Sequence, residues 1–241
     1  MNYRAVVRYN GRRYFGWQKQ INEITIQGEI EKRLSTIFNE EIIIHGSGRT
    51  DAKVHAHGQV FNFKAPLFPV RKLKYALNRM LPPDIEILSL SKVAEYFHAR
   101  FSAIGKTYEY LIYLGAKEPF LNEEVLFYPF PFDLEKFNKH ALTFIGTHNF
   151  QNFTSKGEDE QNFVRTISKF SAKRRGKIVK VVVTGDGFMR GQIRVMIGTL
   201  LALNEGKVNE NYIKDNLDKS KRYIIAYKVS GAGLYLNTVY Y

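Results

Sequence analysis

Apolar and polar positions alternate along the chain in two distinct periods. Asn2 to Tyr9 alternates with a period of two and is rich in β-branched and aromatic residues, which predicts a strand. Asn10-Gly11-Arg12-Arg13 then reads as a charged turn. From Thr25 the period lengthens: Ile26, Ile30, Leu34 and Ile37 recur at helical spacing, with Thr25 as the N-cap. Glu41 to His45 and Val60 to Phe63 are short strands flanking a glycine-rich loop, Gly46 to Asp51. Val70 to Met80 is helical and must stop before Pro82-Pro83, because proline disfavours helical backbone in the residue before it.

The second half repeats the mixture. Ile85 to Lys92 and Lys106 to Leu114 read as strands, and Leu134 to Phe144 as a helix capped by Asp133. Ile167 to Thr184 is a hairpin turning near Arg174-Arg175-Gly176-Lys177. Gln192 to Leu203 and Asn209 to Leu217 are helices, and strands follow at Tyr223–Val229 and Leu234–Tyr241. Strands and helices thus mix in both halves, which predicts an α+β fold with helices on one side of a largely antiparallel mixed sheet. A division near Ser102–Lys106 gives an N-terminal half, 1–103, and a C-terminal half, 104–241, with a basic cleft between them.

Composition narrows the function. The 241 residues carry 36 Lys and Arg against 23 Asp and Glu, a formal net charge of +13, which points to a polyanionic partner. Apolar residues make up 44% of the chain, enough for a core. There is no cysteine, which excludes disulfides and thiolate metal sites. No signal peptide and no membrane-length apolar run is evident, so a soluble cytoplasmic protein is expected.

The chemistry concentrates in Gly46-Ser47-Gly48-Arg49-Thr50-Asp51-Ala52-Lys53-Val54-His55-Ala56-His57. Glycines allow a sharp turn and close approach to a ligand. Arg49 and Asp51 are separated by one residue and project to one side if the loop is extended. A carboxylate beside a fixed cation stays ionised and is able to act as base or nucleophile. The residue pattern alone equally allows an Arg–Asp pair that only pins the loop. His55 and His57 lack further ligands in the pattern, so no metal site is expected.

This loop resembles the Gly-Arg-Thr-Asp loop of the TruA-type tRNA pseudouridine synthases. The resemblance runs through Tyr9-Asn10-Gly11, Tyr14-Phe15-Gly16-Trp17-Gln18, Thr25-Ile26-Gln27-Gly28-Glu29, Leu81-Pro82, Phe97-His98-Ala99-Arg100-Phe101-Ser102, Gly146-Thr147-His148-Asn149-Phe150, Val164-Arg165-Thr166-Ile167 and Gly233-Leu234-Tyr235-Leu236. It implies the pseudouridine synthase fold and isomerisation of uridine to pseudouridine at tRNA positions 38, 39 and 40, without cofactor, by a homodimer. It implies Asp51 as the catalytic carboxylate, Tyr108 as the active-site tyrosine and Arg194 as the carboxylate's basic partner. Arg49 is then a candidate to fill the space left by an extruded base, Leu234 an apolar wall of the uracil pocket, and His55 a hydrogen-bonding loop residue. Tyr108 and Tyr110 share a face of one strand, so one of them is expected to pack only.

Phosphate contacts are expected from Arg12, Arg13, Lys19, Lys53, Arg71, Lys72, Lys74, Arg174 and Arg175. The chain departs from the family pattern at Lys53, where glycine is usual, at Gln192, where an apolar residue is usual, and at Asn10 and Arg12. The alternatives are a paralogue that modifies a different RNA uridine and a non-catalytic RNA-binding protein on the same scaffold.

Overall fold

The computed structural model describes residues 1–155, 162–219 and 223–241. The chain divides into two compact units, Met1–Ile104 with Tyr235–Tyr241, and Gly105–Leu234.

The first unit begins with β1, Asn2–Tyr9, whose Tyr3, Ala5, Val7 and Tyr9 are buried while Arg8 is exposed. That alternation is the pleat's period of two. Helix α1 spans Ile26–Phe38. The Thr25 hydroxyl oxygen caps it by accepting the Gly28 N–H at 3.2 Å, and Asn39 ends it in the left-handed region at φ 52°. Strand β2 is only Ile44–Gly46, shorter than and displaced from the expected Glu41–His45, whereas β3 runs His55–Lys64, well beyond Val60–Phe63. Helix α2, Val70–Met80, buries Leu73 and Leu77 and stops at Leu81, ahead of the two prolines. Strand β4, Ile85–Val93, completes the N-terminal set. β1 lies between β3 and β4, antiparallel to both, and β2 pairs antiparallel with β3.

The second unit contains β5, Gly105–Leu114, β6, Leu126–Tyr128, and helix α3, Leu134–Ala141, whose cap Asp133 accepts the Lys136 N–H at 2.9 Å. Leu142–Phe144 tightens to a 3-10 turn, so the helix is shorter than expected. Then come β7, Gly146–Asn149, β8, Val164–Arg175, β9, Ile178–Gly185, α4, Gln192–Asn204, and α5, Tyr212–Asn216. β5, β9, β8 and β7 pair antiparallel in that order, with β6 parallel to β5. The β8–β9 hairpin turns on Gly176 and Lys177, with Gly176 at φ 60° as a type II′ turn requires. Helix α4 buries eleven consecutive or near-consecutive residues from Gln192 to Leu203 and is the unit's central core helix.

The expected strand at Tyr223–Val229 does not form. This segment lies against α4 instead: the Val229 N–H donates to the Arg194 carbonyl at 3.2 Å, and a Cβ on Gly198 would sit 2.6 Å from the Tyr227 carbonyl oxygen. Strand β10, Leu234–Tyr240, runs parallel to β3, so the last seven residues belong with the first unit rather than with the second half. Among the described residues no helix is long and apolar enough to cross a membrane.

Candidate active site

The glycine-rich loop between β2 and β3 is held from beneath by residues far away in sequence. The Trp17 N–H donates to the Thr50 carbonyl at 3.1 Å, and the Thr50 hydroxyl bonds the Tyr9 hydroxyl at 2.9 Å. The Lys53 N–H reaches the Tyr14 carbonyl at 3.4 Å. Ser47 is fully buried; its N–H donates to the Val60 carbonyl at 2.7 Å and its hydroxyl bonds Gln59 Oε1 at 2.6 Å. Gln59 Nε2 donates to the Gly48 carbonyl at 3.0 Å. Two glycines make the approach possible. Gly16 has φ 93° and a Cβ there would lie 2.5 Å from the Thr50 carbonyl oxygen; one on Gly46 would lie 2.6 Å from the Trp17 indole nitrogen.

On this support Thr50 is buried, Arg49 is exposed and Asp51 is half-buried. The alternation turns Arg49 and Asp51 away from the packed Thr50. Lys53 adopts φ 65°, the left-handed conformation that explains why glycine is usual at this position.

His55 is 1% exposed. Its Nδ1 accepts the Gly11 N–H at 3.1 Å, and its ring stacks on Tyr235 at 4.5 Å. His55 is thus buried, and its hydrogen bond ties the start of β3 to the turn at Gly11. His57 stacks on Tyr235 at 4.9 Å, so both histidines share one face of β3, with only His57 exposed.

In the second unit, Tyr108 on β5 packs edge-on against Phe188 with centroids 5.3 Å apart. Tyr110 is the packing member of the tyrosine pair: it is fully buried and its hydroxyl donates to the Ser230 carbonyl at 2.8 Å. Burial pushes the Tyr110 phenol well above its ordinary value, with the Arg194 charge opposing. Arg194 is half-buried in the first turn of α4, and its Nε donates to the Val229 carbonyl at 2.8 Å. Gln192, two residues earlier, is fully buried; its Oε1 accepts the Met189 N–H at 2.9 Å while its Nε2 has no partner. Leu234 is buried at the start of β10.

The cations expected to meet phosphate divide by their surroundings. Arg12, Lys53, Arg71, Lys72 and Arg175 are exposed, as is Arg174, whose Nε donates to the Gly176 carbonyl at 2.9 Å. Arg13 is exposed and 3.7 Å from Asp84. Lys19 is 3.3 Å from the buried Glu31 carboxylate, and Lys74 donates to the Leu88 carbonyl at 2.7 Å. Each of those two lysines thus also has a contact within the fold. The motif reading missed the loop's supports. The single tryptophan and the unpaired-looking glycine beside it were the available signals, and both lie in the block Tyr14-Phe15-Gly16-Trp17.

The chain is thus a strongly basic α+β protein that carries a half-buried carboxylate on a hydrogen-bonded loop. A family model for tRNA pseudouridine synthases matches residues 5–102 and 141–241, and the chain belongs to that family. Asp51, Arg194 and Leu234 fall within the matched spans; Tyr108 falls outside them. The chain is similar to tRNA pseudouridine synthase A of Streptococcus pyogenes serotype M49 (strain NZ131) and of serotype M1. Each is 39% identical over 246 residues, covering 100% of this chain and 99% of the relative. Among solved structures, the crystal structure of a Cbf5-Nop10-Gar1 complex matches with TM-score 0.38 and 11% identity over 82% of this chain and 53% of that one.

Proposed function

We propose that this protein isomerises uridine to pseudouridine in the anticodon arm of tRNA, at positions 38, 39 and 40, with Asp51 as the catalytic carboxylate. The observation that carries the reading is the half-exposed Asp51 on a loop braced by Trp17, Tyr9 and Gln59. The reaction breaks the bond between uracil and ribose C1′, turns the base and joins C5 to C1′. C5 gives up a proton and N1 gains one, so product and substrate are isomers and the reaction, redox-neutral overall, calls for no external oxidant or energy source.

Asp51 acts on the extruded nucleotide, either at the nucleotide itself or at a ribose proton. Extrusion costs a few kcal/mol of lost stacking. Arg49, exposed two residues before the carboxylate, fills the vacated space. Tyr108 stacks on the flipped uracil, Leu234 supplies an apolar wall, and Arg194 is the basic residue that the family resemblance implies for the carboxylate. Arg12, Arg13, Lys53, Arg71, Lys72, Arg174 and Arg175 neutralise phosphates. The enzyme works in the cytoplasm as a homodimer.

The test is incubation of wild type and Asp51→Ala with unmodified tRNA transcripts, mapping pseudouridine by chemical labelling. Wild type yields label at 38–40 and Asp51→Ala none, while both retain tRNA binding. Turnover unaffected by the substitution refutes the mechanism; label at other uridines refutes the position assignment and leaves the chemistry intact.

A further inference from the structure

The first unit displays a row of planar side chains that the catalytic reading does not use. His45 on β2, His98 and Phe101 follow one another with ring centroids 5.2 Å and 4.4 Å apart, tilted by 32° and 37°. The Arg100 guanidinium lies 5.8 Å from the Phe101 centroid. Phe101 is 78% exposed although it is among the most costly side chains to leave in water.

The row is built rather than floppy. His98 Nδ1 accepts the Arg100 N–H at 3.1 Å and the Phe101 N–H at 3.4 Å, which fixes the neutral ring as the Nε2–H tautomer. The Ser102 N–H donates to the His98 carbonyl at 2.9 Å, and the Ser102 hydroxyl accepts the His98 N–H at 3.1 Å. The Ala99 N–H is tied to Asn62 Oδ1 of β3 at 2.8 Å, which anchors the loop to the sheet. Burial, with help from His45 and Arg100, lowers the His98 pKa and favours the uncharged ring.

We infer that His45, His98, Phe101 and Arg100 form a stacking platform for an unpaired nucleobase of the RNA substrate, separate from the base that is isomerised. The inference rests on tRNA being that substrate. Charge selects this occupant over an apolar protein surface. Arg100 has no ion pair among the described residues, and the neighbouring Glu95 carboxylate is engaged by Lys64 at 3.7 Å. A cation beside rings with exposed edges matches a base and its phosphate. Pre-ordering by backbone hydrogen bonds removes part of the entropic cost of stacking.

The experiment measures the affinity of unmodified tRNA transcripts for wild type, Phe101→Ala and Phe101→Trp, with sedimentation of each protein alone. Phe101→Ala is expected to weaken binding about 5- to 150-fold, the range for loss of one stacked base. Phe101→Trp restores it. Ultraviolet crosslinking of wild type to tRNA is expected to give an adduct on the peptide containing residues 96–101, a readout that needs no variant to fold. Unchanged affinity in Phe101→Ala together with an adduct-free peptide overturns the platform, and so does a Phe101→Ala protein that changes its oligomeric state, which would assign the row to contact between copies. Wild type that forms no pseudouridine in any tRNA refutes the enzymatic reading instead, so the two failures are distinguishable.

Discussion

Gly16→Ala tests whether the catalytic loop is positioned by contact from beneath. Gly16 has φ 93°, outside the conformations an L-residue adopts without strain, and its added Cβ would meet the Thr50 carbonyl oxygen at 2.5 Å and the Asp51 carbonyl carbon at 3.1 Å. Real Cβ contacts stay beyond about 3.0 Å, so the loop backbone must retreat by about half an ångström. The left-handed conformation costs about 1–2 kcal/mol. The overlap adds about 1–3 kcal/mol, as overpacking of a tight contact does. Gly206→Ala is the control: it has φ 72° and nothing within 4 Å of the added Cβ, so it carries the conformational cost alone. For a chain of this size each kcal/mol lowers Tm by about 2–4 °C. Gly206→Ala should therefore lose a few degrees and keep wild-type turnover. Gly16→Ala should lose more, and its kcat on unmodified tRNA should fall by up to about 100-fold, since a displacement approaching 1 Å costs that much at a catalytic group. The assay is thermal unfolding plus single-turnover pseudouridine formation. A Gly16→Ala enzyme that matches Gly206→Ala in stability loss and wild type in rate would refute the argument that this contact sets the position of Asp51.

Two further predictions follow from individual residues. Lys53→Gly removes a non-glycine residue from φ 65° and should raise stability by about 0.5–1 kcal/mol; it should also reduce the salt slope of tRNA binding by about 1, and an unchanged slope would remove Lys53 from the phosphate contacts. Burial raises the Tyr128 phenol to about 12, with the Asn204 amide opposing, so the folded state holds this proton more tightly than the unfolded chain. Its contribution is complete below pH 10 and is lost as pH rises from 10 to about 12. Denaturant midpoints measured across that window should fall less steeply in Tyr128→Phe than in wild type, and parallel curves would contradict the assignment.

Local pattern determined much of this protein. The period of β1, the Thr25 cap, the stop of α2 before Pro82-Pro83 and the Gly176 turn all depend on neighbours within a few residues, and each is where the local rules put it. The loop bearing Asp51 was legible for the same reason, as a run of glycine, cation and carboxylate. Tertiary structure decided the rest. β6 and β7 are three and four residues long, too short to carry a period, and exist because β5 and β8 offer them edges. Residues 223–229 have strand composition but lie against α4. His55 and His57 look equivalent along the chain, yet Tyr235 and Gly11 bury one and leave the other in solvent. That Lys19 lies beside Glu31 and that Lys74 donates to the Leu88 carbonyl could not be read from their neighbours in sequence. Hydrogen bonding and packing of this kind join residues tens of positions apart, and no periodicity encodes which distant backbone a side chain will meet.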